Sequence, residues 1–193
     1  LAAEYWEHAA RLGNVHAQYA LGKLWLENGT GDPKQAVEWM EKAAEARNGA
    51  AQYALAKIYR DGDHVPQDIE KAVKLFTLSA EQENEYAAYQ LGKLYLSGEY
   101  LQKDVAEGIR FMEVAAEKGN QYAQYVLGKL YLSGDDVPRD KEKAVFYLQA
   151  SAAQGNIYAQ FFLDHLDSFH HPSAFLAATR LLRHLETLFQ EDY

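Results

Sequence analysis

The chain has 193 residues, 48% hydrophobic and 24% charged, a composition that argues against wholesale disorder. Its 28 acidic residues outnumber its 19 basic residues, and the net charge of -9 disfavours binding to nucleic acid or to an anionic membrane. Cysteine is absent, which excludes disulfides and cysteine nucleophiles and fits a cytoplasmic compartment, with a secreted or periplasmic location left open.

Two sequence blocks alternate along the chain and recur every 34 or 36 residues. The first block begins at Ala17 as AQYALGKLWLENG and returns at Ala51, Ala87, Ala123 and, in shortened form, Ala159. The second block begins at Gln35, Lys71, Glu107 and Lys143, and residues 1–14 match it as well. A repeat of this length is typical of helix-pair arrays that stack into a solenoid.

Each block predicts one amphipathic helix, because its apolar residues recur at a spacing of three and four. In chain order the helices are predicted at 2–12, 15–28, 33–47, 50–61, 68–82, 86–97, 104–118, 122–133, 140–154, 158–168 and 173–190. Helices of the first block are called A helices here, and helices of the second block B helices. An Asn precedes each A helix and an Asp each B helix, and both residues favour the N-cap position. They are Asn14, Asn48, Asn84, Asn120 and Asn156, and Asp32, Asp68, Asp104 and Asp140.

The predicted fold is all-α, a right-handed α-solenoid of antiparallel helix pairs. The solenoid is expected to span residues 1–169, with a capping helix in 170–193 whose uncovered apolar surface leaves self-association of the chain open. Its parts are a half-unit at 1–13, four units at 14–47, 48–83, 84–119 and 120–155, and a second half-unit at 156–169.

The repeated pattern resembles the Sel-one-like repeat (SLR), a relative of the tetratricopeptide repeat with a longer internal loop. The matching residues in one unit are Ala123, Leu127, Gly128, Leu130, Tyr131, Gly134, Asp140, Lys143, Ala144 and Gly155. The resemblance implies a non-catalytic adaptor that holds a protein or peptide partner, without a cofactor. The segment from Tyr158 to Phe189 also resembles the end of SLR arrays attached to mobilisation relaxases. An accessory module of such a DNA-processing enzyme and a secreted effector are therefore alternatives.

An aromatic residue recurs on the side of each A helix that faces away from its core stripe, and a lysine accompanies it in the first four copies. These residues are Tyr19, Lys23, Tyr53, Lys57, Tyr89, Lys93, Tyr125, Lys129 and Phe161. Since A helices line the concave side of such solenoids, the pattern predicts a partner-binding groove with aromatic anchors. The alternative is that the rings pack between neighbouring A helices while the ammonium groups are merely solvated.

No motif for a serine nucleophile, a phosphate-binding loop or a zinc-binding helix occurs, so no catalytic or metal site is predicted. His165, His170 and His171 form a cluster near Asp164 and Asp167 that leaves ion binding open, against an ordinary surface turn.

Overall fold

The computed structural model describes residues 2–166 and residue 177, and all regular structure in this part is α-helical. The B helices are α1 (Ala2–Arg11), α3 (Pro33–Glu45), α5 (Ile69–Ala80), α7 (Val105–Glu117) and α9 (Lys141–Ala152). The A helices are α2 (Val15–Asn28), α4 (Gly49–Asp61), α6 (Glu85–Ser97), α8 (Gln121–Ser133) and α10 (Ile157–Asp164).

These ten helices confirm the prediction to within two residues at each end, except that α10 ends four residues earlier than expected. The predicted helix 173–190, its capping role and most of the relaxase-like tail lie outside the described residues.

The predicted caps at the helix starts are confirmed. Each of the five asparagines accepts a hydrogen bond through its side-chain oxygen from the backbone N–H three residues later, as Asn48 does from Ala51 at 2.9 Å. Asp68, Asp104 and Asp140 act in the same way, with Asp140 accepting from the Lys143 N–H at 2.9 Å, whereas Asp32 accepts from the Lys34 N–H two residues later at 3.1 Å. These bonds satisfy N–H groups that the helix itself leaves without an acceptor.

Residues 1–111 and residues 112–193 form two compact units. In unit 1, each helix from α1 to α6 contacts the next one along the chain. Its core is built from apolar side chains that both kinds of helix contribute, including fully buried Met40, Leu55, Phe76 and Leu91. This burial is the main source of stability, since neither helix of a pair covers its apolar stripe alone.

Unit 2 contains α8, α9, α10 and the end of α7, and α9 contacts both α8 and α10. Leu127, Leu148 and Phe162 are fully buried at its centre. Two polar bonds tie α8 to the end of α9: the Ser151 hydroxyl donates to the Gln121 carbonyl at 2.8 Å, and the Gln154 amide donates to the Gln124 side-chain oxygen, also at 2.8 Å.

Small residues mark the closest approach of an A helix to its B helix. A Cβ atom added at Gly22 would lie 2.5 Å from Met40 Cγ, and one added at Gly128 would lie 2.6 Å from Leu148 Cγ. Both distances are too short for real carbon atoms, so glycine is required for the observed packing at these two contacts.

Buried glutamines, which the sequence patterns did not single out, join three of the A helices, α2, α4 and α8, to the preceding B helix. The Gln52 amide donates to the Ala44 carbonyl at 3.0 Å, and Gln124 bonds Ala116 in the same way at 3.1 Å. The partner carbonyls belong to the last turn of the B helix, and each also accepts from the backbone N–H three residues later: Ala44 from Arg47 and Ala116 from Gly119, both at 3.0 Å. These bonds therefore close the helix end and fix the register of the two helices.

Candidate partner-binding face

The structure places the tyrosines of the A helices at the boundary between core and solvent. In unit 1, Tyr19, Tyr53 and Tyr89 are all half-buried, whereas Lys23, Lys57 and Lys93 are exposed. The Lys57 ammonium lies 6.0 Å from the centre of the Tyr53 ring, and the Lys93 ammonium 5.8 Å from that of Tyr89. Each lysine thus sits one turn beyond its tyrosine and leans over the ring. We call this set of side chains, in each unit, the A-helix face.

The Tyr53 ring packs on one side and remains accessible on the other. Its centre is 5.9 Å from that of fully buried Phe76 and 6.4 Å from that of Tyr86 on the next A helix. Burial raises the pKa of the Tyr53 hydroxyl, and a hydrogen bond with the Gln90 side chain partly opposes that shift. The ring therefore contributes to packing while it also offers an edge to a ligand.

A second tyrosine, in the first turn of three A helices, belongs to this face and escaped the sequence prediction. Tyr86 is 51% exposed and Tyr122 is 50% exposed, while Tyr158 is half-buried. The signal was present in the sequence, because these residues recur at a spacing of 36 and each lies three positions before a predicted aromatic. Residues three apart share a helix face, so the aromatic surface is wider than predicted.

In unit 2 the same face carries Tyr125, Lys129 and Phe161. The Tyr125 ring centre lies 6.2 Å from Tyr158 and 6.1 Å from buried Phe162, and half-buried Lys129 approaches the ring to 5.2 Å. Phe161 is also half-buried. This arrangement repeats the packing of Tyr53 in unit 1, with Phe162 in the place of Gln90.

The His165 side chain packs against α10, the helix that directly precedes it. Its ring stacks on Phe161 with centres 4.4 Å apart, and its Nδ1 atom is 2.8 Å from the Phe161 carbonyl oxygen. His170 and His171 lie outside the described residues. Within the described part of the chain, no group of three or more histidines and carboxylates is arranged to hold a metal ion.

A groove of about 470 Å³ runs between α2 and α4 on the A-helix face of unit 1. Apolar side chains that line it are Tyr19, Leu26, Met40, Tyr53 and Ile58. Charged groups stand at its edge, where the Lys23 ammonium lies 3.6 Å from the Glu27 carboxylate. The groove therefore combines an apolar floor with a charged rim, as small-ligand and peptide sites do.

The B helices of unit 1 border a second cleft of the same volume, which a closed ionic cluster occupies at one end. The Lys71 ammonium donates to the Glu41 carboxylate and to the Tyr59 hydroxyl, each at 2.6 Å, and that hydroxyl donates to Glu41 at 2.6 Å. Burial alone would raise the pKa of Glu41, but the hydrogen bonds from Lys71 and Tyr59 outweigh it and lower that pKa. These three groups satisfy one another and join α3, α4 and α5.

No helix among the described residues is both long enough and apolar enough to cross a membrane.

Comparison with known families and structures gives one family match. A family model described as the Sel1 repeat matches residues 15–48, 49–84, 85–120 and 121–156. The comparison with curated proteins finds no match.

Solved structures of similar fold come from several bacteria. A protective antigen with an SLR fold from uropathogenic Escherichia coli is 32% identical over 82% of this chain, with a TM-score of 0.75. The chain spans only 35% of the length of that antigen. A Sel1 repeat protein from Oxalobacter formigenes is 27% identical, with a TM-score of 0.76, over 95% of this chain and 78% of its own. An immunity protein from Pseudomonas aeruginosa is similar in fold alone, at 22% identity and a TM-score of 0.53, over 91% of this chain and 71% of its own.

Proposed function

The chain belongs to the Sel1 repeat family, whose members are generally protein-interaction scaffolds and typically non-catalytic, and we propose that it holds a protein or peptide partner on its A-helix face. The observation that carries this proposal is the recurrence of accessible tyrosine where a solvated helix face would carry polar residues. Half-buried Tyr53 and half-exposed Tyr86 form one such pair, and Tyr125 and Tyr158 form another.

Tyrosine suits partner binding because it offers a large, rigid ring and a polar hydroxyl at a small cost in conformational entropy. The rings are held in place by the core beneath them, as Tyr53 is by Phe76. A ring that is already ordered loses little freedom on binding, so more of the contact energy appears as affinity. The B-helix side of unit 1 supports this role less well, because Glu41, Tyr59 and Lys71 already satisfy one another.

A site-specific cross-linking experiment tests the proposal. A photo-reactive phenylalanine derivative replaces Tyr86 in unit 1 or Tyr122 in unit 2, both of which are about half-exposed. Tyr5 on α1 and Phe146 on α9, which are 72% and 65% exposed, receive the same group as controls on B helices. We expect a cross-linked partner from source-cell extract at Tyr86 and Tyr122, and none at the two control positions.

A pull-down with substituted chains gives the complementary result. Tyr89→Ala combined with Tyr125→Ala should weaken capture of the cross-linked partner. The loss of capture should exceed what the loss of folded protein, measured by the melting temperature, accounts for. Equal cross-linking from all four positions, or capture unchanged by the double substitution, would contradict partner binding on the A-helix face.

A further inference from the structure

The last residue of α2 departs from the repeat pattern. Asn28 stands at the repeat position where α4, α6 and α8 are followed by the left-handed cap glycines Gly62, Gly98 and Gly134. Helix α2 instead continues through Asn28, and Gly29 takes the left-handed conformation, with φ of +61°. The end of α2 therefore carries an Asn–Gly sequence, which the ends of α4, α6 and α8 lack.

An Asn–Gly sequence can lose its side-chain amide without an enzyme. The glycine backbone nitrogen attacks the asparagine Cγ atom, and a new N–Cγ bond closes a cyclic succinimide. The Cγ–Nδ2 bond breaks, and the amide nitrogen leaves as ammonia together with the proton of the glycine N–H. Water then opens the ring at either carbonyl and gives aspartate or isoaspartate. Glycine favours this reaction because it has no side chain to obstruct ring closure.

The reacting groups of Asn28 and Gly29 are accessible and unrestrained. Both residues are exposed. Within the part of the chain that the structure describes, neither the Asn28 side chain nor the Gly29 N–H has a hydrogen-bond partner. At the end of α4, by contrast, the Gly62 N–H donates to the Ile58 carbonyl at 2.9 Å. The Gly29 nitrogen is therefore open to reaction with the side chain that precedes it.

Fewer backbone bonds hold the last turn of α2 than hold the last turn of α4. The loop after α2 covers residues 29–32, whereas the loop after α4 covers residues 62–68. In the longer loop the Asp68 N–H donates to the Tyr59 carbonyl at 2.8 Å, and among the described residues no such bond joins Asp32 to α2. The attack requires Asn28 to leave the helical conformation, and helix ends with few such bonds fray most easily.

The chain contains the same dipeptide a second time, at Asn48–Gly49, where the fold restrains it. The Asn48 Oδ1 atom accepts a hydrogen bond from the Ala51 N–H at 2.9 Å, and the Asn48 N–H donates to the Ala43 carbonyl at 3.0 Å. Gly49 is the first residue of α4. Ring closure at Asn48 would break the cap of this helix, so the two Asn–Gly sequences differ in structure although they are identical in composition.

We propose that Asn28 is a site of spontaneous deamidation through the Gly29 nitrogen, and that the cap of α4 protects Asn48 from the same reaction. Either product places a carboxylate at the C-terminal end of α2, where the helix dipole is already negative. Isoaspartate also adds one carbon atom to the backbone between α2 and α3. The neighbouring Glu27 lines the groove between α2 and α4, so the modification adds negative charge beside the A-helix face.

Incubation of the folded, full chain in isotope-labelled water, followed by proteolysis and mass spectrometry, tests this assignment. We expect the peptide that contains Asn28 to take up one heavy oxygen atom and to separate into aspartate and isoaspartate forms. The reaction should accelerate as the pH rises, because the attacking nitrogen must lose its proton. Asn48 in the same folded chain should react about tenfold or more slowly. Asn28→Gln should abolish the reaction at this position, because the longer side chain closes the corresponding ring much more slowly.

The full chain unfolded in urea is the matched control. Both Asn–Gly sequences are then free of the fold, so Asn28 and Asn48 should react at similar rates. Equal rates at the two positions in the folded chain, or a faster reaction at Asn48, would overturn the proposal. A folded chain in which Asn28 stays intact while the unfolded chain reacts would also overturn it, because the end of α2 would then be protective.

Discussion

Single residues at the ends of B helices adopt a backbone conformation that most side chains disfavour. The chain reverses there through the left-handed region, which glycine occupies easily, as at Gly119 with φ of +94°. Two copies of this position lack glycine: Arg47 and Glu83 have φ values of +64° and +65°. The same turn forms because the helix-end hydrogen bonds persist, as from Asn48 N–H to the Ala43 carbonyl at 3.0 Å.

Arg47→Gly and Glu83→Gly are each expected to stabilise the fold by about 0.5–1 kcal/mol. Glycine removes the steric strain of the left-handed conformation, which is partly offset by the extra freedom it gives the unfolded chain. Denaturant titration measures the change in the free energy of unfolding. Arg47→Ala and Glu83→Ala are the controls, since alanine deletes the side chain and keeps the strain; stabilisation of equal size by alanine and glycine would refute the argument.

The packing of an A helix against its B helix leaves no room for an added carbon atom at some crossings. At the crossing of α8 and α9 the Gly128 position is closed by the backbone and side chain of Leu148. In the α4–α5 pair of unit 1 the equivalent position holds Ala56, which is fully buried, so the spacing of that pair accepts a methyl group. The two crossings therefore place a small residue at the same repeat position, and the distance between the two helices differs locally.

Gly128→Leu should lower the free energy of unfolding by about 1–3 kcal/mol, because the larger side chain forces α8 and α9 apart. Thermal and denaturant melts measure the loss. Gly155→Ala gives a contrasting variant: a Cβ there meets nothing within 4 Å, and only its positive φ, +89°, should make the change unfavourable. An unchanged melt for Gly128→Leu would mean that this crossing is not tightly packed.

The ionic cluster that joins three helices predicts a dependence of stability on pH. The folded state lowers the pKa of Glu41, so the stabilisation is complete above the carboxyl group's ordinary pKa and is lost as the pH falls through the lowered value. The pKa of Lys71 is raised, because its bonds to Glu41 and Tyr59 outweigh the effect of burial, so its contribution is lost only as the pH rises through that raised value.

Glu41→Gln should therefore reduce stability by up to about 1 kcal/mol at neutral pH, a modest effect because the pair is partly exposed, and should cost less below about pH 4. Unfolding titrations at several pH values measure this convergence. Glu45→Gln makes the same charge change one turn further along α3 and should leave the pH dependence intact. If the free energy of unfolding of Glu41→Gln differed from that of the unmodified chain by the same amount at every pH, the role given to the Glu41 carboxylate would be wrong.

In the described part of unit 2, α10 is the last helix and packs against α9. We propose that residues 170–193, predicted from their sequence to form an apolar-striped helix, cover the end of the repeat array. A solenoid without such a cap exposes the apolar face of its final unit to water.

Deletion of residues 170–193 should cause aggregation or loss of the final repeat. Light scattering and a thermal melt of the shortened chain measure these outcomes. A shortened chain that stays monodisperse with an unchanged melting temperature would assign the segment to docking on another protein instead.

The amino-acid sequence by itself determined the repeat length, the ten helices of the described part and their caps. These features follow from spacing within one helix or one turn, where the order of residues specifies which side chains share a face. The candidate site was predicted in outline, since Tyr53, Tyr89 and their equivalents recur in register. Tyr86 and Tyr122 could have been added by the same reasoning.

Only the tertiary structure decided what those side chains do. Whether Tyr53 is a core residue or a surface anchor depends on how closely Phe76 and Tyr86 approach it, and that distance is set by helix packing. The contact of Arg60 on α4 with Gln90 on α6 joins two side chains that look unrelated along the chain. Periodicity reports the face of one helix, whereas a site between helices depends on side-chain volumes and on charges brought together from separate turns.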